Sequence, residues 1–95
     1  MAAALIVRHR VANFDAWKSA FDSMTEIRRA HGWTQAIVYR DAADPNMVTI
    51  VNRVTDLEGA KRYGGSPELR AGMQKSGVQG PPEIFLVEQA DDRAY

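Results

Sequence analysis

Residues Leu5-Ile6-Val7-Arg8-His9-Arg10-Val11 alternate with a period of two. Leu5, Val7, His9 and Val11 share one face, Ile6, Arg8 and Arg10 the other, which predicts a strand. Asn13 follows as a helix N-cap, and Asp15 sits in the first turn, where the helix dipole favours negative charge. Phe14, Trp17, Phe21, Met24 and Ile27 then recur every three or four residues, the stripe of one amphipathic helix. Arg28, Arg29 and His31 place positive character in its last turn, and Gly32 supplies a left-handed stop.

Trp33 to Arg40 alternates again, with Trp33, Gln35, Ile37 and Tyr39 on one side. The cluster Asp41-Ala42-Ala43-Asp44-Pro45-Asn46 predicts a turn, and the β-branched run Met47 to Val54 a second strand of the same hairpin. Thr55-Asp56-Leu57-Glu58 has the form of a capping box with Thr55 as cap. A short helix runs from it to Tyr63, and Gly64-Gly65 interrupts. Ser66 caps the next helix, with Pro67 at its first position and Leu69 and Met73 on its apolar side. Gly77 ends it, Gly80-Pro81-Pro82 forms a rigid lead-in, and Glu83 to Gln89 is the last strand. Residues 91–95 read as a tail.

The order β-α-β-β-α-β is that of the ferredoxin-like α+β fold, a four-stranded antiparallel sheet with both helices on one face. Apolar residues occur at both parities in all four strands, so the second sheet face also needs a cover. A second copy of the chain would supply it, so a homodimer packed sheet on sheet is expected, burying about 1,200–2,000 Å² or more.

Composition narrows the picture. The 95 residues suit one domain, 1–95, with 45% hydrophobic and 25% charged residues, ordinary for a globular chain. Twelve basic residues balance twelve acidic ones, which argues against a nucleic-acid or anionic-membrane binder. No cysteine is present, so disulfides, thiolate catalysis and Cys-ligated metal are excluded. Arg8 cuts short the apolar run at the start of the sequence, and no later run approaches a membrane span. A cytoplasmic protein without metal or cofactor is the expectation.

Four short segments carry a resemblance. They are Val7-Arg8-His9-Arg10-Val11 leading into Phe14-Asp15-Ala16-Trp17; the turn Asp44-Pro45-Asn46; Thr55-Asp56-Leu57-Glu58-Gly59-Ala60; and Ser66-Pro67-Glu68-Leu69-Arg70 followed by Gly77-Val78-Gln79-Gly80-Pro81-Pro82-Glu83. In order and spacing the chain resembles the dimeric α+β barrel superfamily, in particular its antibiotic-biosynthesis-monooxygenase-like (ABM-like) branch. The resemblance implies a ferredoxin-like barrel dimer, and among its activities a cofactor-independent oxygenase of polyketide quinols. Many such members carry an acidic residue and a Trp on the third strand and a His on the second helix. The ungapped positions here hold Asn52, Val54 and Tyr63.

His9 is the candidate catalytic residue, a lone titratable ring among aliphatics, suited to act as a general base or else to sit in the core as a neutral hydrogen-bonded ring. Asn52 shares a face with Val48, Ile50 and Val54, and is expected near His9, holding a substrate carbonyl or orienting the ring. Tyr63, at the glycine break, is a candidate donor at a pocket mouth. Trp17 and Trp33 are candidate aromatic pocket walls, with core packing the plainer role. Arg8, Arg10 and Arg53 suit either an anionic ligand or pairing with acidic neighbours. Three functions stay open: binding of a small apolar or aromatic molecule between sheet and helices, cofactor-independent monooxygenation of an electron-rich aromatic, and a non-catalytic dimeric interaction protein. A cavity beside His9 of about 300 Å³ or more favours the first two, and closure by Trp17, Phe21 and Phe85 the third.

Overall fold

Alternation and turn chemistry produce the strands that the sequence predicts, and helix stripes fold over one side of them. The computed structural model describes residues 2–95. Its elements are β1 (Ala3–Val11), α1 (Phe14–Ser23), α2 (Thr25–Ala30), β2 (Trp33–Arg40), β3 (Met47–Val54), α3 (Leu57–Gly64), α4 (Pro67–Lys75) and β4 (Val78–Glu88). The strands form one antiparallel sheet in the order β2-β3-β1-β4. This is the ferredoxin-like arrangement, with β1 and β3 in the middle. Leu5 pairs with Asn52, Val7 with Ile50 and His9 with Val48.

The core lies between the sheet and the helices. Leu5, Val7, Val11, Val48, Ile50 and Val54 come from the two central strands, Trp17, Ala60 and Tyr63 from the helices, and Trp33 from β2; all are buried. Every second residue of β1 and β3 is buried on this side, the burial period that the hydrophobic alternation demands.

The expected first helix is two. Asn13 caps α1 as predicted, accepting from the Ala16 amide. At Met24 the backbone leaves helical geometry (φ −103°, ψ 16°). On either side the hydroxyls of Ser23 and Thr25 bond back to the carbonyls of Ala20 and Asp22. Such back-bonding competes with the helical ladder and bends it. The break shifts the phase of the stripe, and Ile27 is left exposed rather than in the core. Gly32 takes the left-handed conformation at φ +93°, as its position after the helix predicts.

Three further details depart from expectation. The N-cap of α3 is Asp56, which accepts from the Glu58 amide, while the Thr55 hydroxyl turns to the Gly32 carbonyl. β4 starts at Val78, so Gly80-Pro81-Pro82 lies inside the strand, and a register shift between Arg8 and Arg10 absorbs it. A second shift, between Trp33 and Gln35, moves Trp33 onto the helix side while Gln35, Ile37 and Tyr39 stay on the opposite face. A bulge of this kind re-aims one side chain without ending the strand.

Among the described residues, the other sheet face carries no helix. Ile6, Ile37, Val51, Phe85 and Val87 share it with Arg8, Thr49 and Arg53. Phe85 is 48% exposed there, so it takes no part in closing the space above His9. Arg8 lies 3.9 Å from Glu83, Arg53 bonds the Gln89 amide oxygen, and Arg10 pairs with Asp44 of the β2–β3 turn. These arginines are thus tied to neighbours within the chain.

Candidate functional site

A cavity of about 70 Å³ lies between sheet and helices. Its floor is Leu5, Val7, His9, Ile50 and Asn52 from the two central strands. Trp17, Phe21 and Met24 of the first helical run, Arg28 of α2, Trp33, Tyr63 of α3 and Leu69 and Met73 of α4 complete the wall. Gly72 lets Met24 approach, since a Cβ at Gly72 would stand 3.0 Å from its sulfur and methyl carbon. All five residues singled out from the sequence, His9, Asn52, Tyr63, Trp17 and Trp33, border this one space.

They do not form one cluster. His9 and Asn52 share a sheet face, but Val7 and Ile50 intervene, which separates their rows by about 13 Å at roughly 3.3 Å per residue. Asn52 does not orient the His9 ring; its amide nitrogen donates to the Leu5 carbonyl across β1–β3 at 3.1 Å. Trp17 presents its ring edge-on to His9, with centroids 5.7 Å apart. At the other end Tyr63 meets Trp33 edge-on at 5.1 Å and lies against His31 at 4.5 Å. The cavity therefore has a histidine end and an amide–phenol–indole end, with an aliphatic floor between them.

The polar atoms at both ends are unusual. Both ring nitrogens of His9, the indole nitrogen of Trp33, the side-chain oxygen of Asn52 and the hydroxyl of Tyr63 are buried and have no partner among the described residues. A buried polar group left unpaired costs about 1–3 kcal/mol. Folding alone gains nothing from placing five such atoms around one small space. Replacing Tyr63 by Phe is accordingly expected to raise stability by about 1 kcal/mol, a rise of several degrees in thermal midpoint for a domain of this size, measurable by calorimetry. A fall of similar size would show that the hydroxyl is already satisfied.

Burial lowers the pKa of His9 below its ordinary value of 6.5, so at neutral pH the ring is uncharged, with a free lone pair. Burial raises that of Tyr63, an effect opposed by the nearby Arg28 cation, and the phenol remains a proton donor. The sign for His9 follows from linkage. Because the folded pKa lies below the unfolded one, the unfolded chain takes up the proton first as pH falls. The contribution of His9 to stability is complete above about pH 7 and declines as pH drops through 6.5 toward the folded value. Denaturant titrations from pH 7.5 to 5 are expected to show this decline, flattened in His9→Gln. An unchanged slope in that variant would assign the decline to other groups.

Arg28 is the wall residue that sequence reading did not anticipate. It follows Phe21 by seven residues, two turns along the helical run, and reads as helix-end charge. Its side chain reaches back along that face over Phe21, with the guanidinium 3.7 Å from the ring centroid and bonded to the Phe21 carbonyl. Trp17 stacks on the other side of Phe21 at 4.9 Å. Among the described residues, no group of three or more His, Asp or Glu side chains is placed to hold a metal ion. No helix among the described residues is long and apolar enough to cross a membrane.

No family model matches this sequence, and no curated protein sequence matches it. Solved structures do match. The chain superposes on Rv0793 from Mycobacterium tuberculosis with TM-score 0.68 at 18% identity, covering 99% of this chain and 100% of that one. It superposes on SnoaB from Streptomyces nogalater, a cofactor-independent oxygenase, with TM-score 0.75 at 14% identity, over 96% and 95% of the two chains. A protein from Bordetella bronchiseptica, provisionally described as an antibiotic biosynthesis monooxygenase, gives TM-score 0.76 at 13% identity, over 94% and 97%. The fold shared with these structures is the ferredoxin-like one, a four-stranded antiparallel sheet with helices on one face.

Proposed function

We propose that the chain works as a homodimer, sheet face on sheet face, and binds a small molecule with an apolar or aromatic body in the space between sheet and helices. The observation that carries the binding reading is the set of unpartnered polar atoms of His9, Asn52, Trp33 and Tyr63 around one otherwise apolar cavity. Polar groups that orient a ligand in an apolar site have this distribution. The cavity, about 70 Å³, is smaller than the 300 Å³ that an open pocket calls for. An engineered cavity of about 150 Å³ accepts benzene, so a ring-sized guest here requires the wall to yield. Met24 and Met73 suit that role, since an unbranched thioether chain repacks at low cost.

Titration calorimetry with 1-naphthol tests this reading. Saturable binding of one molecule per chain is expected, weakened in Tyr63→Phe and in Asn52→Leu. A folded protein that shows no saturable binding overturns it. The dimer is supported by Ile6, Ile37, Val51, Phe85 and Val87, which together make one side of the sheet apolar with no helix over it.

A second reading, cofactor-independent oxygenation, is favoured by the neutral, unpartnered His9 and by the likeness in fold to SnoaB. His9 would take a proton from a phenol or activated carbon acid. The resulting anion would donate electrons to dioxygen, one oxygen atom remaining in the product and the other leaving as water. Dioxygen uptake with a hydroxylated anthracene, measured by electrode, is expected to vanish in His9→Ala while dimer mass and thermal midpoint stay nearly unchanged. Uptake that persists in this variant removes His9 from the role.

A further inference from the structure

A second depression lies against the cavity wall. It is an open groove of about 300 Å³ between the first helical run and β2. Phe21, Arg28 and Trp33 border both the groove and the cavity. The partition between the two spaces is thus a stacked ring, a guanidinium and an indole.

The charge at this partition has no direct ion pair among the described residues; Asp22 of the same groove favours it from a distance but is itself paired with Lys18. The other two cations of the groove are paired, Lys18 with Asp22 at 2.6 Å and Arg29 with Glu26 at 2.7 Å. Arg28 has no carboxylate within 4 Å among the described residues, and its one hydrogen bond there goes to the Phe21 carbonyl. A guanidinium has five N–H donors and no acceptor. Beside it, the indole N–H of Trp33 is a donor only, and the Tyr63 phenol a donor at neutral pH; both are buried and unpartnered. This end of the cavity holds three donors, one of them cationic, against a single unpartnered acceptor, the Asn52 side-chain oxygen, and the excess of donors calls for an acceptor that carries negative charge. Arginine forks suit planar carboxylates best, and partial desolvation strengthens the pairing.

We infer that the ligand is an aromatic monoanion, a carboxylate or an oxyanion of similar charge, which reaches the cavity through the groove and places its anionic head on Arg28, with the Trp33 and Tyr63 donors beside it. The apolar body then lies against Phe21 and the aliphatic floor, toward His9. The cavity and groove together have the volume that a one- or two-ring acid needs, once Phe21 and Arg28 move aside. The inference rests on the binding reading above and adds the ligand's charge and its direction of entry.

Calorimetric titration of 1-naphthoate against its neutral isostere 1-naphthamide, with the full chain at low and at physiological salt, tests it. The naphthoate is expected to bind about tenfold or more tightly than the amide, with the margin shrinking as salt rises. In Arg28→Gln the naphthoate should lose its advantage, so that the two probes bind alike. Arg28→Lys keeps the charge without the fork and is expected to fall between, which provides the readout should the glutamine variant not fold. Equal binding of the two probes to the wild type overturns the inference and leaves the binding reading standing. A preference for naphthoate that survives in both variants also overturns it. Binding of neither probe removes the binding reading itself.

Discussion

Replacing Ile6 by Glu is expected to break the proposed sheet-on-sheet dimer into monomers. Ile6 lies on central β1, opposite Val51 on one side and Phe85 on the other, in the middle of the sheet face that no helix covers. A carboxylate placed there would be buried against apolar surface of the second copy with no partner charge. Such burial costs several kcal/mol, and each 1.4 kcal/mol is about tenfold in the dissociation constant. A weakening of the dimer on the order of a thousandfold follows, read by sedimentation equilibrium across micromolar concentrations. The wild type must sediment at twice its 10.6 kDa chain mass for the comparison to hold. A well-folded wild-type monomer at these concentrations would falsify the sheet-on-sheet pairing.

The second large effect is on stability. Leu5 is 2% exposed and lies on the cavity floor, with Asn52 on one side and Leu86 on the other. Leu5→Ala removes apolar volume next to a space that already exists, so the neighbours have little to collapse onto. A loss of about 3 kcal/mol is expected, within the range of buried Leu→Ala changes. A domain of this length has a total stability of roughly 5–14 kcal/mol, so the variant gives up a large share of it. Urea unfolding would show a lower midpoint with an unchanged slope. The same change enlarges the 70 Å³ cavity, and an apolar guest such as benzene should restore part of the lost midpoint. A loss below about 1 kcal/mol would mean that the cavity floor repacks freely.

Much of the fold could be read directly from residue patterns. The alternation of β1 and β3, the Asn13 and Ser66 caps, the left-handed Gly32 and the Asp41–Asn46 turn are all local signals, each decided by its own residues and their nearest neighbours in sequence. Where prediction and structure part, two local chemistries compete. Thr55 has the form of a cap, but the Gly32 carbonyl across the sheet end claims its hydroxyl, and Asp56 takes the role. Ser23 and Thr25 are weak helix formers inside a strong stripe, and the break that they create at Met24 has no signature in hydrophobic spacing.

The candidate site divides in the same way. Parity alone places His9 and Asn52 on the helix side of the sheet, and both are buried there. Parity sends Trp33 to the wrong side, because a bulge is a pairing event between strands and leaves no trace in alternation. The separation of His9 from Asn52 is a matter of register, which strand pairing sets and which no single strand encodes. Arg28 enters the wall because its side chain lies back over the Phe21 ring, a choice that helical spacing permits and packing makes.

Sequence by itself therefore determined the order of elements, the ferredoxin-like sheet and which face of each central strand is buried, since these follow from side-chain period and short-range hydrogen bonding. Tertiary structure alone decided that residues carrying five polar atoms, unpartnered among the described residues, border one cavity and that a guanidinium separates that cavity from the groove outside. Those facts depend on distances between residues far apart in the chain, and only packing fixes such distances.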